Sequence, residues 1–118
     1  MEQDNIISTY TRQQAIEDGT FVDVSEVART IGFIIPVAIT SNLYYSYIKK
    51  QDEQETARRL DAFLLIIYNQ IQKRKDDNFL KAKVCFDKDK ETEVWTVVEG
   101  ISPTDPNPAM NIMLPEDY

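Results

Sequence analysis

The chain has 118 residues, a formal net charge of −7, no histidine, one cysteine and three glycines. That length makes one domain with a modest core of its own, and without histidine there is no Ser–His or Cys–His nucleophile pair and no His-ligated metal. Three glycines exclude a Walker loop and a dinucleotide fingerprint, and a pI near 4.5 argues against general nucleic-acid binding, which needs a basic face. The acidity is uneven: residues 1–48 carry −4 (six acids, two bases), 49–86 carry +3 (nine bases, six acids) and 87–118 carry −6 (eight acids, two bases).

In chain order, residues 1–9 read as a polar lead-in, with Ile6 and Ile7 adding a short strand or docking on the core. Thr11-Arg-Gln-Gln14 fits a capping box and starts a helix that Asp18-Gly19 stops. Phe21–Val24 is short and β-prone. Ser25 has the character of an N-cap for a second helix, with Val27, Ala28 and Ile31 as its apolar stripe and Gly32 as its stop. Phe33–Ile39 is apolar throughout, and Pro36 keeps it out of a helix interior, which predicts an extended or edge segment. Thr40 or Ser41 caps a helix with Leu43, Tyr44, Tyr47 and Ile48 on one face.

The clearest pattern lies between Glu53 and Lys75. Ala57, Leu60, Leu64, Ile67 and Ile71 recur at spacings of three and four, and Phe63 widens the stripe, so this is a long amphipathic helix. After it, Leu80, Ala82, Val84 and Phe86 alternate with Phe79, Lys81, Lys83 and Cys85, and Val94, Thr96 and Val98 alternate with Trp95 and Val97, giving two strands of a hairpin. SPTDPNP reads as a Pro-rich loop, and Met110, Ile112 and Leu114 as a final strand. The expected fold is a single compact α+β domain over residues 1–118. A small antiparallel sheet is covered by one long and one or more shorter amphipathic helices.

Tyr10-Thr11-Arg12, Gln14-Ala15, Asp18-Gly19, Val22-Asp23-Val24-Ser25, Gly32-Phe33, Pro36-Val37-Ala38 and Thr40 resemble the N-terminal half of a family of small bacterial proteins borne on plasmids, phages and other mobile elements. That family is a domain of unknown function. Ser102-Pro-Thr-Asp-Pro through Ile112-Met-Leu-Pro-Glu-Asp117 is similar to its C-terminal motif. The two blocks cover roughly 45 of 118 residues. The resemblance implies a mobile-element origin and assigns no reaction.

Folding accounts for most residues of the first block, and it leaves Tyr10, Arg12, Asp23 and Arg29 as candidates for binding a ligand or partner. Arginine offers a planar fork for a carboxylate or phosphate, and tyrosine a ring and a hydroxyl; an internal pairing of Arg12 or Arg29 with Asp23 would use the same residues. The carboxylates Glu17, Asp18, Asp23 and Glu26 cluster in sequence, but turns and helix starts explain them better than a metal or an acid–base pair. Tyr44 and Tyr47 belong to the core and Tyr45 to the surface. Cys85 shares a strand face with Lys81 and Lys83, and the lysine clusters are interrupted by acids, as in a solvated face.

No metal, cofactor or catalytic residue is assigned, and the balance leans away from an enzyme. The lone Cys85 forms no internal disulfide, MEQDNIISTY lacks a signal-peptide layout, and the longest apolar run, Phe63–Tyr68, is too short to span a membrane, so the expected location is the cytoplasm. The expected function is that of a non-enzymatic mobile-element accessory protein acting through a protein partner or self-association, with anti-defence work as one form of it. The alternative is a small-molecule or nucleotide binder, or a weak enzyme, built around Tyr10, Arg12 and Asp23.

Overall fold

The apolar run after Phe33 becomes the interior of a sheet. In the computed structural model, which describes residues 12–74, 78–87, 90–102 and 104–118, Val37, Ala38 and Ile39 are wholly buried and Thr40 nearly so. A strand buried on both faces can be apolar at every position, which is why this stretch lacks alternation. Around it the chain forms α1 (Arg12–Glu17), β1 (Phe21–Asp23), α2 (Ser25–Ile31), β2 (Val37–Thr40), α3 (Ser41–Leu43), a π-helical turn (Tyr44–Ile48), α4 (Glu53–Gln72), β3 (Phe79–Asp87), β4 (Lys90–Ser102), β5 (Asp105–Met113) and a closing 3-10 turn (Pro115–Asp117).

The strands form one sheet in the order β1-β2-β5-β4-β3. It is mixed rather than antiparallel, because β2 and β5 run parallel, with Ala38 opposite Asn111. All other neighbours are antiparallel. The parallel pair joins the two sequence blocks across the middle of the sheet, and the helices and the β3–β4 hairpin form the long crossover between them. Pro36 lies just before β2 and gives its carbonyl to Met110 N–H at 2.8 Å, so β2 is an interior strand and not an edge.

The core lies on the front face, where α2 and α4 pack on Val37, Ile39, Ala82, Val84, Val94, Met110 and Ile112. From α4 it takes Leu60, Phe63, Leu64 and Ile67, each buried and each worth about 1.5–3 kcal/mol of transfer free energy. Ala57 is exposed and Thr56 takes the first buried position instead. The Thr56 hydroxyl accepts from Lys50 N–H at 2.8 Å, which holds the preceding link against the first turn of the helix.

Local chemistry sets the boundaries of the shorter helices. Ser25 is the first helical residue of α2, not its cap. Asp23 Oδ1 accepts from Ser25 N–H (2.9 Å) and from the Ser25 hydroxyl (2.6 Å), so the carboxylate turns the chain from β1 into α2. Thr40 caps α3 as expected, its hydroxyl accepting from Leu43 N–H at 3.3 Å. The helix then widens: Lys49 N–H donates to Tyr44 O at 2.8 Å. The extra residue per turn brings both Leu43 and Ile48 into the core, and Arg59 closes the turn by donating Nε to Tyr47 O at 3.0 Å.

Most of the Pro-rich segment is strand rather than loop: Ser102 ends β4, and Asp105 to Pro108 belong to β5. Gly100 pairs with Pro108 and Ser102 with Asp105. Pairing with β2 begins only at Met110, so at Pro106 and Pro108 β5 has a partner on one side alone, and a missing N–H is tolerated there. The expected cap at Thr11 and the turn centred on residues 88–89 lie outside the described residues.

Candidate functional site

The back face of the sheet carries the polar residues. Asp23, Ala38, Asn111 and Val97 form one transverse row across β1, β2, β5 and β4. The helix α1 touches β1 and β4, so it crosses this face over Ala38 and Asn111, and Ala15 is its buried contact. A small residue at position 38 leaves room in the row between Asp23 and Asn111, and Arg12, at the start of α1, serves both ends of it.

Arg12 Nε donates to Asn111 Oδ1 at 3.0 Å, and Asn111 Nδ2 donates to Glu99 Oε2 at 3.3 Å. Asn111 is only 4% exposed. Burial pushes the Arg12 guanidinium below its ordinary range, and the nearby negative charge of Asp23 pulls it partly back. One guanidinium nitrogen, Nη2, is buried and has no hydrogen-bond partner among the described residues. An orphaned donor of this kind is uncommon, and it marks the place where this network can accept one more oxygen.

Of the four sequence candidates, then, the structure brings Arg12 and Asp23 together. Arg29 lies in the last turn of α2, exposed, and faces a different hollow of about 450 Å³ that it shares with Asp23, Ser25, Glu26 and Tyr44. Tyr10 lies outside the described residues. Sequence pattern does not single out Asn111 and Glu99. The available signal is an asparagine between Met110 and Ile112 in an otherwise apolar strand end. Among the clustered acids, Asp18 accepts from Thr20 N–H at 3.0 Å and Glu17 accepts from Gln13 at 3.2 Å. No three His, Cys, Asp or Glu side chains converge among the described residues.

A second back-face group is aromatic. Phe79, Trp95 and Tyr118 meet pairwise with ring centroids 5.2–5.4 Å apart, and Lys81 Nζ stands 5.0 Å from the Trp95 ring. Phe79 and Trp95 are half-buried, and Tyr118 is 73% exposed. The 3-10 turn delivers Tyr118. Asp117 Oδ2 accepts from the Thr40 hydroxyl (2.8 Å) and from Leu114 N–H (3.2 Å), and Oδ1 accepts from Asn42 Nδ2 (3.2 Å). Asp117→Ala is therefore expected to lower stability by about 1.5–3 kcal/mol in thermal or urea unfolding, through loss of hydrogen bonds to a charged acceptor. The same variant is expected to change the Trp95 emission, because Tyr118 is no longer held against the indole.

Fold and network together define a small α+β protein whose two sequence blocks meet through Arg12–Asn111 and Thr40–Asp117 on one face of a mixed sheet. The chain belongs to a family described as Family of unknown function (DUF6573), whose model matches residues 1–118. No curated protein and no solved structure matches it. No helix among the described residues is long and apolar enough to cross a membrane.

Proposed function

We propose that this protein works by binding a protein partner and carries out no chemistry of its own, and that the partner docks on the aromatic group Phe79, Trp95 and Tyr118. The observation that carries this reading is an exposed tyrosine clamped against a half-buried tryptophan, with Lys81 beside it, on the part of the back face that α1 leaves uncovered. Tryptophan and tyrosine are the side chains that most often dominate binding at protein interfaces, because they bury a large area at little conformational cost. The resemblance to mobile-element proteins fits a host protein as the partner, and inhibition of a host defence is one form such binding takes.

Trp95→Ala is expected to fold normally, to keep its unfolding midpoint within a few degrees, and to lose at least about tenfold in affinity for the partner, in line with a loss of about 2 kcal/mol at an interface hot spot. The measurement is a quantitative pull-down from host lysate, followed by titration of the captured protein against wild type and variant. Failure of wild type to retain any stoichiometric partner, or equal retention by Trp95→Ala, contradicts the reading.

The orphaned Arg12 Nη2 favours a second reading, in which the network around Arg12 and Asp23 holds a small anion. Titration with inorganic phosphate and nucleoside monophosphates tests it: a saturable rise in melting temperature that Arg12→Met abolishes supports it, and no rise removes it.

A further inference from the structure

The front face has an opening that folding does not fill. Where α4 ends, a cleft of about 390 Å³ lies between the loop after Gly32, the last turn of the helix and strands β3, β4 and β5. That volume falls in the range of about 300–1,000 Å³ typical of small-molecule sites. Its walls are Phe33, Tyr68, Ile71, Leu80, Val98 and Met110. The shape is built in: Gly32 has φ +135°, and a Cβ there would lie 2.8 Å from Tyr68 Cζ, so only glycine lets the tyrosine lie against the loop. Tyr68 then meets Phe33 edge-on at 5.3 Å.

Three observations describe the occupant. Ile34 stands at the mouth 96% exposed, beside Phe33 at 7%, so the rim offers apolar surface to an added molecule. In a chain with 20 acids, the described lining residues include no carboxylate and one cation, Arg74, whose guanidinium has no hydrogen bond or ion pair among the described residues. In the wall, the Thr96 hydroxyl donates to Leu80 O at 3.5 Å, a long bond that leaves its oxygen as a polar atom in the lining.

We infer that this cleft binds a hydrophobic monocarboxylate, its apolar body against Phe33, Ile71 and Val98 and its carboxylate on Arg74. An anion with an apolar tail complements both the apolar lining and Arg74, the one cation among the described lining residues. The site lies on the opposite face of the sheet from the aromatic group and does not depend on the protein-partner reading.

Methyl NMR of the full chain, titrated with decanoate, 1-naphthoate and decylamine, tests it. Saturable shifts confined to the methyls of Ile34, Ile71 and Val98 are expected with the carboxylates and not with the amine. Arg74→Gln is expected to weaken carboxylate binding by about tenfold while leaving the reference spectrum in place. Tighter decanoate binding identifies an aliphatic ligand, and tighter naphthoate binding an aromatic one; either supports the site. No saturable shift at these methyls, equal binding of decylamine, or an unchanged affinity in Arg74→Gln overturns it.

Discussion

Replacing Phe63 by alanine is expected to lower the unfolding free energy by about 3–5 kcal/mol, the largest single-residue effect in the molecule. Phe63 is 2% exposed and sits where three elements meet. Its ring stacks on Phe86 of β3 at 5.4 Å, and Phe86 stacks in turn on Tyr47 of the π-helical turn at 4.8 Å. Truncation removes the transfer free energy of the ring and leaves a cavity that α4 cannot close without giving up Leu64 and Ile67, both wholly buried. Urea unfolding monitored at Trp95 reads the loss directly as a lower midpoint at unchanged slope. Phe63→Leu keeps most of the volume and is expected to lose less than half as much. A Phe63→Ala variant within about 1 kcal/mol of wild type would contradict the packing described, on a scale where buried Phe truncations cost about 3–5 kcal/mol.

The second large effect is expected at Gly32. Its φ of +135° and the 2.8 Å separation between a Cβ at this position and Tyr68 Cζ give Gly32→Ala two separate penalties. Backbone strain in a region that L-residues avoid costs about 1–3 kcal/mol, and displacing a packed ring adds a comparable overpacking term, so about 2–4 kcal/mol is expected together. The helix stop suffers as well, because Gly32 N–H and Phe33 N–H both donate to Ala28 O at 3.1 Å. Tyr68→Leu in the Gly32→Ala background separates the two terms: it relieves the ring collision and leaves the strain, so part of the stability returns. Full recovery in the double variant would show that the backbone itself is unstrained.

Much of this fold is legible from residue spacing. The long helix is clear because its buried positions recur every three or four residues, and the β3–β4 hairpin because its faces alternate. The parallel β2–β5 pairing is not legible: local pattern shows that Val37–Thr40 is buried on both sides but not which distant strand lies next to it. The π-helical turn is hidden for a similar reason. Tyr44, Tyr47 and Ile48 suit a helical stripe of either pitch, and the choice depends on Arg59 reaching the freed Tyr47 carbonyl from another helix. SPTDPNP misleads because proline is a loop signal unless the strand carrying it has one side free, and that depends on where β2 ends. At the site, Arg12 and Asp23 stand out in the sequence as candidates, although Asp23 also turns the chain from β1 into α2. Asn111, which accepts from Arg12, and Glu99, which accepts from Asn111, lie at the far end of the chain from Arg12, beyond the reach of any local pattern.

The two ends of the described chain are also tied together physically. Thr40 and Asn42 on one side and Asp117 on the other hold the closing turn in place, and that turn presents Tyr118 to Trp95. These contacts build the platform that carries the aromatic group on which we propose a partner docks.

Hydroxyl-radical footprinting of the complex with the captured partner tests this most directly, because tryptophan and tyrosine side chains react readily when exposed. Strong protection of Trp95 and Tyr118 on binding, with Tyr45 as reactive as in the free protein, is the result expected. Unchanged reactivity of Trp95 and Tyr118 in a stoichiometric complex, with protection at Tyr45 or at Leu65 and Ile66 on the outer face of α4, would place the interface elsewhere and overturn the assignment of the aromatic group as the docking surface.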